Sequence, residues 1–303
     1  MERKRQTLPR IQLISAMAIF GTIGSFVTYI PLSSSLIALV RGAIGTAFLL
    51  LVLLCQGKKP DFAAIKKNLL ILALSGGFIG INWILLFESY RYTLVSIATL
   101  CYYFAPILVI LLSPILLGER FSLKKILCVL AALLGMALIS GIFQGGEIGP
   151  ENLKGILFGL GAAAFYAGVV LLNKKLKDIA GFDATLTQLF FAALVISPYA
   201  LTTGGATGEV TVLGLVLLLV VGVIHTGFAY TLYFSSIQKL PTQTAAIFSY
   251  IDPVISLVLS ALILGERMGV SGVIGAVLIL GSTFLSEISD HGEGKNTAAP
   301  KEA

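Results

Sequence analysis

Charged side chains are scarce in this chain of 303 residues, since Asp, Glu, Lys and Arg together make up 12% of it, about half the roughly 25% of soluble domains. Hydrophobic residues make up 57%, so a soluble fold would lack polar surface, and a disordered chain is excluded as well. The three cysteines, Cys55, Cys101 and Cys128, form no Cys-x-x-Cys pair, which excludes a disulfide framework and a structural zinc site. The composition indicates an integral membrane protein.

Long apolar runs account for most of the sequence. A helix needs about 20 residues to cross the hydrocarbon core of a bilayer, and ten runs reach that length. They predict an all-α integral membrane protein with ten transmembrane helices, at residues 11–30, 35–55, 69–88, 94–117, 123–142, 153–173, 184–202, 210–235, 242–264 and 268–288. The polar, glycine-rich residues 289–303 predict a disordered cytoplasmic tail.

The Lys and Arg residues lie mainly between these runs and are unevenly distributed. If the N-terminus is cytoplasmic, seventeen of them fall in cytoplasmic segments and three in outer segments, with Arg41 inside the second helix. Because Lys and Arg favour the cytoplasmic side, we predict a multi-pass protein of the cell membrane with both termini in the cytoplasm. This distribution explains the net charge of +6, and no nucleic-acid partner is expected.

The chain also repeats itself at an offset of 147 residues. The matched positions include Tyr103 and Tyr250, Pro106 and Pro253, and the Leu-Gly-Glu-Arg segments 117–120 and 264–267. Each copy, at 11–142 and 153–288, holds five predicted helices, an odd number, so the second copy enters the membrane in the opposite orientation. Inverted repeats are typical of secondary transporters, which bind their solute near the midplane where the halves meet.

A proline followed by a stretch of apolar residues and Leu-Gly-Glu-Arg resembles the EamA repeat of the drug/metabolite transporter superfamily, and residues 232–267 are a particularly good match to its second copy. The resemblance covers roughly residues 11–288. It implies ten helices, cytoplasmic termini, a central cavity between the halves, and export or exchange of small metabolites, without fixing a substrate. Glu88 and Asp252 depart from the family's pattern, in which these positions are commonly small or apolar.

Pro106 and Pro253 lie near the centres of the fourth and ninth predicted helices. A proline removes a backbone donor and frees a carbonyl one turn earlier. Inside a membrane this is tolerated only where protein or cavity water satisfies the carbonyl. The two prolines therefore mark helix kinks, which either line the transport pathway or only shape packing.

The two Gly-Glu-Arg triplets lie at helix ends. A carboxylate near a helix N-terminus is favoured by about 0.3–1 kcal/mol. We therefore interpret Glu119 and Glu266 as structural turns that accept N–H groups at the start of the following helix.

Asp252 lies in the middle of the ninth predicted helix, where a carboxylate costs about 2.5–3.5 kcal/mol on insertion scales. It is expected to face the interior, where it would bind a substrate amine, relay a proton, or form a structural pair with Arg41. Arg41, about 9 Å into the second helix by the helical rise, would attract an anion or extend to the outer headgroups. His225 would either bind the solute or carry a proton, or would only form a hydrogen bond between helices. Glu88 lines a cavity mouth or is a solvated cap.

Aromatic and polar side chains complete the predicted site. Flat rings with interior hydroxyls suit an amphipathic organic solute, although aromatic packing between helices explains the same residues. The further candidates for binding the solute or coupling protons are Asn82, Trp83, Tyr102, Tyr103, Tyr230, Gln243, Ser249 and Tyr250. A small polar stripe on the first helix, which includes Thr22 and Ser25, is attributed to close packing.

We therefore predict a secondary transporter, an exporter or exchanger, that moves a small amphipathic metabolite such as an amino acid by alternating access. No Walker-type Gly-x-x-x-x-Gly-Lys loop is present, so proton coupling or exchange is expected instead of ATP, with no cofactor and no metal. A lipid or lipid-linked sugar flippase is the main alternative, and a membrane-embedded enzyme is a weaker one. The expected partners are a small-molecule substrate and the lipid bilayer, and the oligomeric state stays open between monomer and homodimer.

Overall fold

The structure, a computed structural model, describes residues 2–117, 123–140, 149–237, 248–249 and 251–293. This part of the chain is helical and contains no β-strand beyond an isolated bridge between Leu32 and Ala206. The helices are α1 (Glu2–Val27), α2 (Ser34–Cys55), α3 (Phe62–Lys67), α4 (Leu69–Tyr92), α5 (Val95–Tyr102), α6 (Ala105–Leu117), α7 (Leu123–Ser140), α8 (Pro150–Asn173), α9 (Gly181–Thr203), α10 (Val212–Val220), α11 (Ala229–Ile237), α12 (Ile251–Ile263) and α13 (Val270–Glu293), with a π-helical segment, Val221–Phe228, between α10 and α11.

Seven helical stretches in the described residues are long and apolar enough to cross a bilayer. They are Thr7–Val27, Ser34–Cys55, Leu69–Tyr92, Val95–Leu112, Pro150–Asn173, Gly181–Thr203 and Val212–Tyr233. Three shorter apolar stretches are Ile126–Leu138, Ile251–Ile263 and Val270–Ser282. The chain is an all-helical integral membrane protein, as the apolar runs predict.

Small polar side chains determine where several helices begin. Ser33 Oγ accepts the N–H of Leu36 at the start of α2, and Thr211 caps α10 in the same way. Asp61 Oδ1 accepts two backbone N–H groups at the start of α3. Such caps satisfy donors that a helix start leaves unpaired.

Close helix packing surrounds α4, which contacts α8 on one side and α9 on the other. α2 packs on α9 and on the π-helical segment, α1 packs on α11 and α12, and α7 packs on α13. Glycines permit these approaches: a Cβ built at Gly76 would lie 2.6 Å from Gln188 O of α9. Small residues at helix contacts are what membrane proteins use in place of a hydrophobic driving force.

Two loop contacts tie the helices together at opposite ends. At one end, Ser33 N donates to Gly205 O at 2.8 Å, and Thr207 N donates to Pro31 O at 3.0 Å. The loops involved are those between α1 and α2 and between α9 and α10.

At the other end, the Asn68 side chain both donates to Lys177 O and accepts from Lys177 N. Nearby, Lys67 Nζ lies 2.6 Å from Asp178 Oδ2, and this hydrogen bond lowers the pKa of the exposed Asp178 carboxyl. This contact joins the segment between α2 and α4 to the loop between α8 and α9.

Two predicted helices are interrupted. The fourth stops at Tyr102 and resumes at Ala105, so Pro106 lies in the first turn of α6, where a missing N–H costs no helical bond. The proline therefore follows a break instead of bending a continuous helix. The eighth predicted helix widens into the π-helical segment, in which Ala229 N reaches Ile224 O.

Some of the predicted residues lie at or beyond the ends of the described segments. Helix α13 continues to Glu293, into the segment expected to be disordered, and residues 294–303 lie outside the described residues. Three predicted residues, Glu119, Gln243 and Tyr250, also lie outside them.

Candidate functional site

Arg41 is buried where α2, α4 and the π-helical segment meet. Its guanidinium carbon lies 4.2 Å from the centroid of the Trp83 ring and 5.4 Å from that of Phe87, and its Nε donates to Thr226 Oγ1 at 3.1 Å. Only 4% of Arg41 is exposed, which contradicts the alternative in which it extends to the outer headgroups. Aromatic faces and a hydroxyl take the place of the water that solvates a guanidinium elsewhere.

The π-helical segment supplies polar partners to two other helices. Thr226 Oγ1 donates to Val221 O at 3.0 Å and accepts from Arg41 of α2. His225 Nε2 lies 2.7 Å from Thr22 Oγ1 of α1, and its ring meets Phe26 with centroids 4.9 Å apart. Widened turns of this kind occur frequently at functional sites, and here one such turn connects α1 to α2.

Asp252 lies in the first turn of α12. Its carboxylate is hydrogen-bonded to the Tyr103 hydroxyl, and both side chains are half-buried. Helix α1 passes directly beside it, since a Cβ built at Gly21 would lie 2.5 Å from Asp252 O. The carboxylate therefore lies at the break between α5 and α6, next to α1.

Arg41 and Asp252 do not form the ion pair that one sequence interpretation allowed. The ion pairs in the described part of the chain are those of Lys67 with Asp178 and of Arg91 with Glu88. Three tyrosines instead lie near both charged groups. These residues, here termed the tyrosine layer, are Tyr90, Tyr102 and Tyr230.

Neither Arg41 nor Asp252 has an ion-pair partner among the described residues, and a charge without such a partner inside a membrane protein is costly. Desolvation costs several kcal/mol per ion in real proteins, and membrane charges usually pair with one another or mark solute pathways. The tyrosine layer supplies hydroxyls and flat rings near both groups. Chemically, Arg41 can bind an anionic group and Asp252 a cationic group.

The other predicted polar residues occupy different positions. Asn82 Nδ2 donates to Ala162 O at 2.6 Å, from α4 to α8. Glu88 lies at the end of α4, where it pairs with Arg91 at 3.4 Å. Ser249 is half-buried. The structure thus brings Arg41, Trp83 and the tyrosines together and places Asn82 at a helix contact.

Glu266 makes a contact that the sequence did not predict. Its carboxylate accepts the N–H groups of Val95 and Ser96 and the Ser96 hydroxyl. It therefore caps α5, a helix much earlier in the chain, instead of the helix that follows it. Pro253, the third residue of α12, is buried next to Asp252, at the end of the helix opposite to Glu266.

Several residues near Arg41 and Asp252 were not predicted from the sequence to belong to the site. Tyr90 follows Trp83 and Phe87 on one face of α4, at helical spacing that could have identified it. Thr226 had no signal beyond its position next to a membrane histidine. Ser25 was assigned to packing, yet its Oγ is buried and has no hydrogen-bond partner among the described residues.

Two cavities open on the described part of the chain. One, of 340 Å³, is lined by Thr28, Ser34, Phe87, Tyr90, Arg91 and their neighbours. The other, of 630 Å³, is lined by Glu88, Arg91 and Tyr199 among others. Neither lining includes Arg41 or Asp252. The first cavity, however, ends on Phe87 and Tyr90, two side chains that interact with Arg41.

Comparison with known proteins identifies related sequences along the whole chain. The model of the "EamA-like transporter family" matches residues 9–141 and 153–288. The "Uncharacterized transporter YxxF" of Bacillus subtilis (strain 168) is 30% identical over 97% of this chain and 94% of its own length. "Protein RarD" of Salmonella typhi is 28% identical over 67% of each chain.

A solved structure described only as "Crystal structure of protein" has a TM-score of 0.61 to this chain. It shares 16% sequence identity, with coverage of 94% of this chain and 98% of its own. At that identity the likeness concerns the fold alone. Together, the family match and the relatives named as transporters point to transport rather than catalysis.

Proposed function

This chain belongs to the EamA-like transporter family, and from that premise we propose that it is a secondary transporter, an exporter or exchanger, of a small amphipathic metabolite such as an amino acid. It moves the solute by alternating access. The observation that carries the proposal is that Arg41, buried against Trp83, and Asp252, hydrogen-bonded to Tyr103, have no ion-pair partner among the described residues.

A zwitterion offers an oppositely charged group to each of these two residues. The carboxylate of an amino acid binds Arg41, because guanidinium groups match carboxylates in shape and charge. The ammonium binds Asp252, a residue that is only half-buried. The apolar side chain of the solute packs on the tyrosine layer. A solute that replaces the missing ion pairs offsets the desolvation of both groups.

The transporter architecture we propose is ten transmembrane helices in two inverted repeats. Exchange of the halves pairs α1 with α8, α2 with α9, α4 with α10–α11, α5–α6 with α12, and α7 with α13. Under this correspondence, the contact between α4 and α8 is equivalent to the contact between α11 and α1. In the same way, the contact between α4 and α9 is equivalent to that between the π-helical segment and α2. The contact of α8 with α5 and α6 is equivalent to that of α1 with α12. The two loop ties are exchanged as well, from one end of the bundle to the other.

The proposed location is the cell membrane, with both termini in the cytoplasm. The uneven distribution of Lys and Arg supports this orientation. It places the exposed Glu209 outside and the exposed Lys67 inside. A cysteine introduced at Glu209 should react with an impermeant maleimide in intact cells, and one introduced at Lys67 should react only after the membrane is permeabilised. Labelling of both positions in intact cells contradicts the orientation.

Coupling is proposed to run through Asp252, by proton movement or by exchange of solutes. Transport is tested with purified protein in proteoliposomes that are loaded with one unlabelled amino acid at a time and assayed for uptake of the same labelled amino acid. The wild type is expected to exchange at least one of them. If no amino acid exchanges or binds, while phospholipid analogues are moved between leaflets, the proposal is wrong.

Neutralisation of Asp252 tests its role. We expect Asp252→Asn to lower uptake driven by a proton gradient by at least about tenfold, the change that 1.4 kcal/mol produces, with unchanged thermal stability. Glu209→Gln removes a carboxylate from an exposed loop and is the matched control. Uptake by Asp252→Asn that equals the control and keeps its pH dependence excludes Asp252 from coupling.

A further inference from the structure

The Arg41 side chain is held at one edge only. Its Nε donates to Thr226 Oγ1, and no hydrogen bond joins its two terminal nitrogens to another described residue. The flat face of the guanidinium rests on Trp83, with Phe87 beside it. The terminal edge, which carries the two parallel donors that bind a carboxylate in a bidentate manner, is therefore left for a ligand.

The orientation of the Thr226 hydroxyl is determined by the π-helical segment. A threonine hydroxyl has a single proton, and this one is donated to Val221 O, five residues earlier, at 3.0 Å. Its oxygen can then only accept from Arg41 Nε. In an ordinary α-helical turn the hydroxyl would donate to a carbonyl three or four residues earlier. The widened turn therefore helps to determine the direction in which the Thr226 hydroxyl donates its proton.

Helix α2 is shaped to receive Thr226. A Cβ built at Gly45, one turn after Arg41, would lie 2.4 Å from Thr226 Cγ2. The absent side chain lets the threonine methyl pack against the α2 backbone. Thr226 is wholly buried, so its hydroxyl is available to Arg41 and not to water.

We propose that Thr226 is a positioning residue that makes Arg41 an end-on receptor for the carboxylate of the transported solute. This inference rests on the proposed function and adds to it the residue that determines the geometry of anion recognition. A single guanidinium balances the single charge of a carboxylate, whereas a phosphomonoester carries about −1.5 to −2 at neutral pH. The expected solutes therefore bear a carboxylate.

The ligand-free test uses the only tryptophan of the chain. Because Arg41 lies over the Trp83 ring, Thr226→Val should change the emission maximum or lifetime of Trp83 in protein without solute. Thr226→Ser keeps the hydroxyl and should resemble the wild type. Thr231→Val is the matched control, since the Thr231 hydroxyl donates to Gly227 O, one turn earlier in the chain, and to no other described residue. Unchanged Trp83 emission in Thr226→Val overturns the inference even if transport of amino acids is demonstrated.

The ligand test compares solutes that differ in the carboxylate alone. The probes are L-phenylalanine with phenethylamine and L-leucine with isoamylamine, each titrated against the variants. Thr226→Val should raise the Kd of the amino acid by about tenfold and leave the Kd of the amine within about twofold, with Thr226→Ser near wild type. An equal rise for both members of a pair means that Thr226 has a structural role only, which overturns the inference.

The outcomes separate this inference from the proposed function. If wild-type protein binds none of the probes and exchanges no amino acid, the proposed function fails, and the carboxylate role of Thr226 fails with it. If wild type binds the amino acids but Thr226→Val changes the Kd of the amino acid and that of the matching amine by the same factor, the inference alone fails. Thr226→Ala replaces Thr226→Val in both tests if the valine variant does not give folded protein.

Discussion

Glu266 Oε1 accepts the backbone N–H of Val95 at 2.7 Å, although 171 residues separate them in the chain. Glu266 lies between α12 and α13, and Val95 is the first residue of α5. The second carboxylate oxygen accepts from Ser96 N at 3.0 Å and from the Ser96 hydroxyl at 2.8 Å. One glutamate thus satisfies donors at the start of a helix that has no capping side chain of its own.

Removal of this carboxylate should weaken the fold. We expect Glu266→Ala to lower the free energy of unfolding by about 1–2 kcal/mol, the upper range for loss of a helix cap. Glu266→Gln, which keeps one acceptor oxygen, should lie between. Thermal melting in detergent measures the order, and Glu151→Ala, at an exposed carboxylate in the first turn of α8, is the control. Equal melting of the Glu266 and Glu151 alanine variants contradicts the capping role.

Gly21 should be intolerant of any side chain. A Cβ there would lie 2.5 Å from Asp252 O and 2.9 Å from Ile255 Cβ, so Gly21→Ala must push α1 away from α12. Transport should fall by at least about tenfold, because a displacement of about 1 Å near a site can cost 100-fold. Gly281→Ala is the control, since nothing lies within 4 Å of its Cβ. Transport by Gly21→Ala at the level of Gly281→Ala would show that this approach is not needed.

The membrane fold follows from the sequence to a large extent because insertion depends on local hydrophobicity. The run at 69–88 needed no tertiary information to be recognised as α4. Asp252 was expected in the interior because a mid-helix carboxylate is costly in lipid. These inferences concern single segments and their transfer from water to lipid, which the local sequence determines.

The interior geometry does not follow from local sequence. Arg41 is buried because it packs on the Trp83 ring and donates to Thr226, a residue 185 positions away in the chain. The break at Tyr103 precedes its proline, and the π-helical turn near His225 carries no proline at all. The target of the Glu266 carboxylate lies on another helix. Each of these features depends on tertiary contacts that no local propensity encodes.

Asn82 is expected to stabilise the fold without selecting the solute. Its Nδ2 donates to Ala162 O at 2.6 Å and its side chain is buried. Asn82→Ala should lower the free energy of unfolding by about 1–3 kcal/mol and leave KM for the transported solute within about twofold. Ser197→Ala, which removes an exposed hydroxyl bonded to its own helix, should change neither quantity. A large rise in KM with unchanged stability would place Asn82 in the solute site instead.

His225 and Thr22 should be energetically coupled. The imidazole Nε2 lies 2.7 Å from the Thr22 hydroxyl, and this is the hydrogen bond that joins α1 to the π-helical segment. A double-mutant cycle with Thr22→Val and His225→Phe, which keeps a ring of similar size against Phe26, isolates the contact. Unfolding free energies in mixed detergent should give a coupling of about 0.5–1.5 kcal/mol, the net value of a buried hydrogen bond.

The control cycle replaces Thr22 with Thr28, the residue that directly follows α1. The Thr28 hydroxyl donates to Gly24 O and Ser25 O of α1 itself, so Thr28→Val and His225→Phe should add within about 0.5 kcal/mol. If both cycles are additive, the contact between His225 and Thr22 contributes nothing to the packing of α1. If only the first cycle shows coupling and transport persists in His225→Phe, the histidine joins helices and does not bind the solute.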